Sequence, residues 1–216
     1  MPHIKMARKS TDTDMTPFVD IAFLILSFFI MATKFKPPEP IPVTTPNSVS
    51  SAILKEENNM LITMDKDSKV YISINAKKDP EKLTTIIEDL NTSRSLGLSP
   101  AEIQNFKKTL MVGVPFASLK TLLDLPADKQ AGVSQPGIPV LDTLNNELIW
   151  WIAATKRAFA NEKLLYLIKG DNSSKYPTFE AVINAMRKNE EFKYNLVTSQ
   201  EGAPEGTELF VERLKK

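Results

Sequence analysis

The sequence contains no cysteine, and its one histidine is His3. Without cysteine the chain can form no disulfide, no thiol nucleophile and no thiolate metal site. A single histidine near the start of the chain excludes a Ser-His-Asp triad and nearly every zinc site, because zinc prefers thiolate and imidazole ligands. We therefore predict no metal site and no cofactor.

Glycine is scarce, and neither sign of charge is in excess. The chain has 7 glycines in 216 residues and no G-x-G motif. Gly132 and Gly137 have the spacing of a phosphate-binding loop, but Ile138 and Pro139 follow where Lys-Ser/Thr is required. Lys and Arg total 27 against 26 Asp and Glu, whereas binding to a phosphate backbone favours a basic excess. These features argue against nucleotide and nucleic-acid binding, and we predict that the protein is not an enzyme.

One long apolar run stands out from this background. Residues 16–33, TPFVDIAFLILSFFIMAT, contain Asp20 as their only charge. At ~1.5 Å per residue the run reaches ~27 Å, close to the ~30 Å core of a bilayer. Pro17 suits the first turn of a helix, and Lys34 ends the run. We predict a transmembrane helix over residues 15–36; a cleaved signal peptide and a buried core helix are the alternatives.

The flanking charges indicate an orientation for this helix. Basic residues before the run are Lys5, Arg8 and Lys9, and those after it are Lys34 and Lys36. Because basic flanks tend to stay on the cytoplasmic side, the small N-terminal excess predicts a cytoplasmic tail at residues 1–14. The bulk of the chain would then be translocated.

Asp20 is the most informative single residue. A carboxylate inside a membrane span is costly and usually faces a bundle interior or water. At 100° per residue, Thr16, Asp20 and Ser27 fall within about 40° on one side of the helix, in a polar stripe on an otherwise apolar surface. This stripe predicts a protein partner within the membrane. The alternative is an Asp20 side chain that reaches the membrane interface, since it lies near one end of the run.

The remaining sequence predicts a proline-rich linker and one mixed domain. Residues 37–52 hold five of the 15 prolines, which favours an extended, semi-stiff linker over 37–57. Predicted strands are 60–64 and 70–74, which form a hairpin around the polar turn 65–69, together with 164–169 and 192–198. Predicted helices are 80–91, 99–110, one after Pro115, 142–161 and 177–188. We predict an α+β domain over 58–199 with helices on one face of a mixed sheet, a helical insert at about 79–140, and a flexible tail at 200–216.

Two adjacent tryptophans fall on opposite sides of the predicted 142–161 helix. Trp151 lies on its apolar stripe and is expected to be core packing. Trp150 lies on the other side, where an exposed indole needs a cover or a partner. We predict that residues 99–125 pack over that side and bury Trp150; contact with a partner chain is the alternative.

Three stretches of sequence resemble a known family. Met15-Thr-Pro-Phe-Val-Asp20-Ile-Ala-Phe-Leu, leading into an apolar helix, resembles the signature of the ExbD/TolR family of biopolymer-transport proteins. Leu164–Asp171 and Tyr176–Met186, followed by Tyr194–Ser199, are similar to the end of that family's periplasmic domain. About 65 residues separate the predicted hairpin from Asp142, where short members have a few. In this the chain resembles extended members from Bacteroidetes-type bacteria.

This resemblance implies a function and a set of partners. It implies a bacterial inner-membrane complex with an ExbB/TolQ-type multi-span subunit, a homodimer of this chain, and a periplasmic domain that works with a TonB-type energy transducer. The family's membrane aspartate maps onto Asp20, implying proton transfer, and its partner-binding linker maps onto Ile41, Val43 and Pro46. The alternative is a TolR-like single-pass tether that binds the cell wall or envelope partners.

Overall fold

The computed structural model describes residues 15–32, 41–49, 58–130, 132–142, 145–160, 162–202 and 206–207. The chain divides into two compact units, Met1–Glu39 and Pro40–Lys216. The first unit contains one described helix, α1 (Thr16–Ala32). The predicted tail 1–14 lies outside the described residues.

The second unit is a mixed α+β domain, as predicted. Its elements, in chain order, are β1 (Asn47–Ser48), β2 (Asn59–Met64), β3 (Val70–Asn75), α2 (Glu81–Arg94), α3 (Pro100–Phe106), α4 (Phe116–Leu123), α5 (Ala127–Gln130), α6 (Leu148–Ala158), β4 (Leu165–Gly170), α7 (Tyr176–Lys188), β5 (Asn195–Val197) and β6 (Ser199–Gln200). The strand and helix order therefore follows the sequence-based expectation closely after residue 58.

The main sheet has four strands in the order β3-β2-β4-β5. β2 and β3 form the predicted antiparallel hairpin, with Met64 opposite Val70. β4 pairs parallel with β2, and β5 pairs parallel with β4. β5 is consequently an edge strand of this sheet.

The hydrophobic core lies between one face of the sheet and the helices. Met60 and Ile62 of β2, Ile72 of β3, and Tyr166 and Ile168 of β4 point to this face, and all are buried in one cluster. The cluster also contains the apolar sides of α2, α6 and α7, contributed by Ile86, Ile87, Leu90, Leu148, Trp151, Ile152, Val182, Ile183 and Met186. The alternate β2 residues Leu61 and Thr63 are not part of it, so successive β2 side chains point to opposite faces of the sheet.

The predicted insert shares this core. Phe106 of α3 and Phe116 of α4 stack on Trp151. Their ring centroids lie 5.9 and 5.7 Å, respectively, from the centroid of the indole. Beyond α3, Ile72 exchanges two backbone hydrogen bonds of 2.8 Å with Val112. These contacts cover the outer edge of β3, which would otherwise be open to another chain.

Three predicted boundaries were wrong. α6 begins at Leu148 rather than Asp142, because the Asn146 side chain accepts a hydrogen bond from Leu148 N (3.1 Å) and Glu147 N donates to the Pro139 carbonyl. α3 ends at Phe106 rather than 110, since Lys108 N and Thr109 N form turns to the Asn105 and Phe106 carbonyls and Val112 then pairs with β3. The last predicted strand, 192–198, is reduced to the three residues of β5.

The prediction for Trp150 was also wrong. Its side chain is 39% exposed, because α3 and α4 pack on the Trp151 side of α6 instead. The Arg94 guanidinium, 4.8 Å from the ring centroid, partly covers the Trp150 indole. A cation stacked on the ring therefore takes the place of the expected apolar cover.

Candidate functional site

Helix α1 carries the motif centred on Asp20. It begins where Phe18 N and Val19 N donate to the Met15 carbonyl, at 3.1 and 3.0 Å, with Pro17 in the first turn, where its missing N–H costs nothing. Most of its large apolar side chains are more than half exposed: Phe18, Val19, Ile21, Phe23, Leu24, Leu26, Phe28, Phe29, Ile30 and Met31. An apolar surface of this extent is typical of contact with lipid or with another protein.

The helical backbone places Thr16, Asp20 and Ser27 on the same side of α1. The Ser27 hydroxyl donates to the Leu24 carbonyl at 2.9 Å, so its polar group is satisfied within the helix. Asp20 borders an open concave surface that it shares with Met15, Pro17, Val19 and Phe23. The structure brings the three stripe residues into line, and their roles stay predictions.

None of the helices in the described part of the chain is both long and apolar enough to cross a membrane.

Over the same described ranges, no three acidic or imidazole side chains come together in a way that could hold a metal ion.

The proline-rich segment that follows is attached to the domain where it is described. Within residues 41–49, β1 pairs in parallel with β6, Asn47 opposite Ser199 and Ser48 opposite Gln200. Ser199 N donates to the Pro46 carbonyl at 3.0 Å, extending this short ladder by one bond. β1 therefore lies within the predicted linker and pairs with the domain. Its partner strand, β6, includes Gln200, the first residue of the predicted tail.

The carboxylate of Asp171 anchors the same segment at Thr44, shortly before β1. Asp171, just after β4, accepts a 2.8 Å hydrogen bond from Thr44 N, and Asn172 N donates to the Thr44 carbonyl at 2.9 Å. Backbone N–H groups, that of Ser173 and then that of Thr44, lower the pKa of Asp171, because they stabilise its charged form. Because Thr44 bonds through both its N–H and its carbonyl, the register of the segment against the turn after β4 is fixed.

The predicted partner-contact residues fall within this docked segment. Ile41 and Val43 are half-buried and Pro46 is exposed, and Ile41 borders a cavity of about 180 Å³ that also contacts Tyr71 and Val133. Sequence analysis missed Asp171 as an anchor. A two-residue strand has no periodicity from which to infer a pairing, and Asp-Asn after a strand is typical of an ordinary turn.

A family model described as "Biopolymer transport protein ExbD/TolR" matches residues 6–201. Among curated proteins, the chain is similar to "Biopolymer transport protein ExbD" of Aquifex aeolicus, with 23% identity over 104 residues, which is 47% of this chain and 78% of that protein. No solved structure gives a significant match. The family match includes both the Asp20 helix and the α+β domain.

Proposed function

We propose that this chain, which belongs to the ExbD/TolR family of biopolymer transport proteins, is an ExbD-like subunit of a proton-driven motor that energises TonB-dependent transport across the outer membrane. Proteins of this family are associated with the inner membrane and with transport. The observation that carries the proposal is the single carboxylate of Asp20 on α1, whose other side chains are almost all apolar and exposed.

In this proposal residues 15–36 form a single membrane span, with the N-terminus cytoplasmic and the domain periplasmic. The uninterrupted apolar run 16–33 supports a span, since its apolar side chains outweigh the one charge. The net charge of +2 in residues 1–36, with three of the five basic residues ahead of the run, supports this orientation.

Asp20 would alternate between carboxylate and carboxylic acid. The neutral acid tolerates an apolar wall, whereas the carboxylate needs a polar partner such as hydroxyl groups on a neighbouring subunit. A proton would enter from one side, bind Asp20, and leave to the other side as the surroundings change. A potential of 100 mV supplies about 2.3 kcal/mol per charge that crosses, which is enough to bias two conformations of the complex.

Three protein partners follow from this role. An ExbB/TolQ-type multi-span subunit would face the stripe of Thr16, Asp20 and Ser27. A TonB-type energy transducer would meet the linker at Ile41, Val43 and Pro46. A second copy of this chain would complete a homodimer, for which β5, the edge strand of the described sheet, is suited.

The substitution Asp20→Asn tests the proposal in cells that depend on this protein for uptake of a nutrient through the outer membrane. We expect uptake to be abolished while the amount of membrane-inserted protein stays unchanged, because Asn is nearly isosteric but cannot carry a proton. The matched control is Asp124→Asn at the exposed end of α4, for which uptake should be normal. Normal uptake in the Asp20→Asn strain would instead favour the TolR-like tether.

A further inference from the structure

A groove of about 650 Å³ runs between α6 and α7 on the domain surface. Its floor is apolar, with Ile149 on one side and Pro177 and Ala181 on the other, and Leu141 stands at its rim with 64% of its surface exposed. Glu180 and Arg187 are among its charged rim residues. A concave apolar surface of this size is large enough to take several side chains of a peptide.

The two walls of the groove are fixed to each other. The Asn146 amide donates to the Ala181 carbonyl at 3.2 Å, joining the segment before α6 to α7. The Asn189 amide donates to both the Ile149 and Ala185 carbonyls at 3.0 Å, joining the helices at the other end. The groove is therefore pre-formed and does not have to open to receive an occupant.

We propose that the C-terminal segment 208–214 of the same chain binds in this groove. Its sequence, Glu-Leu-Phe-Val-Glu-Arg-Leu, contains four large apolar residues in a tail that is otherwise polar. Leu209, Phe210 and Val211 would cover Ile149 and Ala181, and would bury apolar surface on both sides of the contact.

The tail is long enough to reach the groove from the end of β6. Ser199 N bonds to Pro46, and Thr44, two residues earlier, bonds to Asp171, so β6 lies close to the turn that leads into α7. Pro177, in the first turn of α7, lines the groove. Seven extended residues from position 202 to 209 can span ~23 Å, and the ten residues from Pro177 to Arg187 extend only ~15 Å along the helix.

Charge supports the same occupant. The rim has two basic side chains, Arg187 and Lys188, against the single carboxylate of Glu180. Residues 201–212 contain four glutamates and no basic residue. In the proposed complex Glu212, directly after the apolar triplet, would pair with Arg187.

The chain has no native cysteine, so a disulfide between two introduced cysteines tests this contact in the full-length protein. We expect the pair Ala181→Cys with Phe210→Cys to form an intrachain disulfide at least tenfold faster than Phe210→Cys paired with Glu88→Cys, which is exposed on α2. The exposed rim variant Asn184→Cys, paired with Phe210→Cys, should also form its disulfide rapidly, which guards against a folding defect at Ala181.

Equal rates for the groove and α2 pairs would overturn the proposal. So would disulfides found only between chains when two differently tagged copies are mixed, because the groove would then bind a second copy. Disulfide formation in the Ala181→Cys, Phe210→Cys pair should also slow when excess synthetic peptide 203–216 is added. An unchanged rate would contradict specific binding of the segment in the groove.

Discussion

Trp150 and Trp151 are adjacent in the sequence but occupy different environments. Trp151 is fully buried and stacked between two aromatic rings from the insert. Trp150 has the Arg94 guanidinium over its ring and is 39% exposed. At the scale of the residue, one position along α6 separates a core side chain from a surface one.

We therefore expect Trp151→Ala to lower the free energy of unfolding by about 3–5 kcal/mol, since it leaves a large cavity beneath α3 and α4. Trp150→Ala is the matched control and should cost no more than about 1 kcal/mol, the typical value of an exposed cation–π contact. Denaturant unfolding of the two variants measures this difference. Similar losses for both would contradict the assignment of Trp151 to the shared core of the insert.

Glu147 is a second residue whose surroundings determine its behaviour. Its carboxylate is buried and accepts a 2.7 Å hydrogen bond from Phe116 N at the start of α4. Burial raises the pKa of Glu147, while the Phe116 N–H and the charge of Arg94 oppose that rise. Between the unfolded-state and folded-state pKa values the folded chain binds more protons, so this group's contribution to stability is lost as the pH rises through its folded-state pKa.

Glu147→Gln should remove that pH dependence, because a neutral amide oxygen can still accept the Phe116 N–H. We expect the free energy of unfolding of the variant to increase relative to that of the wild type as the pH is raised from 4 to 7. Glu147→Ala, which leaves the Phe116 N–H without this acceptor, should lose about 1–3 kcal/mol. A Glu147→Gln variant whose stability relative to the wild type is the same at both pH values would be inconsistent with the burial argument.

At the scale of the element, the short β1–β6 pair is the least expected feature. It attaches residues 41–49, near the start of the second unit, to the rest of that unit through two paired residues on each strand, and the Asp171 carboxylate adds a hydrogen bond to Thr44 N. Each strand of this pair is only two residues long, so we expect the segment to open locally without unfolding of the core.

Asp171→Ala should speed the release of this segment. We expect faster amide hydrogen exchange at Thr44 and Ser48, with exchange in β2 unchanged. In the wild type, acidification should act similarly, because the contribution of a carboxylate with a lowered pKa is lost as the pH falls through its folded-state pKa. Asp124→Ala is the control, and equal exchange in all three proteins would show that Asp171 does not anchor the segment.

The edge strand β5 leads to a prediction about self-association. Leu196, in the middle of β5, is 55% exposed, and the nearby Phe192 is also exposed. If two copies pair along this edge, Leu196→Cys in the full-length chain should give a disulfide-linked dimer under mild oxidation. Glu88→Cys on α2 should not, and equal dimer yields from both variants would argue against the β5 edge.

At the scale of the whole molecule, the parts with strong periodicity were the predictable ones. Residues 72–75 of β3 alternate apolar and polar side chains, α7 carries a regular apolar face, and Ser99 with Glu102 forms a capping box at the start of α3. The Asp20 stripe could also be placed from sequence, because three positions on one helix need only the 3.6-residue period.

The parts that depend on distant contacts were not predictable in this way. Asp142 looked like a helix start, yet α6 begins at Leu148 because the preceding residues bond to α7 and to the loop after α5. The side of α6 chosen by the insert, and with it the exposure of Trp150, depends on how α3 and α4 fold against the sheet. The pairing of Asn47 with Ser199 joins residues about 150 positions apart, and no local pattern marks it.

Proton flux through the assembled complex tests directly whether Asp20 carries protons across the membrane. The chain would be reconstituted into vesicles with its multi-span partner subunit, and proton entry would be measured under an imposed membrane potential. We expect proton flux for the wild type and none for Asp20→Asn, with both complexes intact by co-purification. Wild-type flux through the Asp20→Asn complex would contradict a proton-carrying role for Asp20.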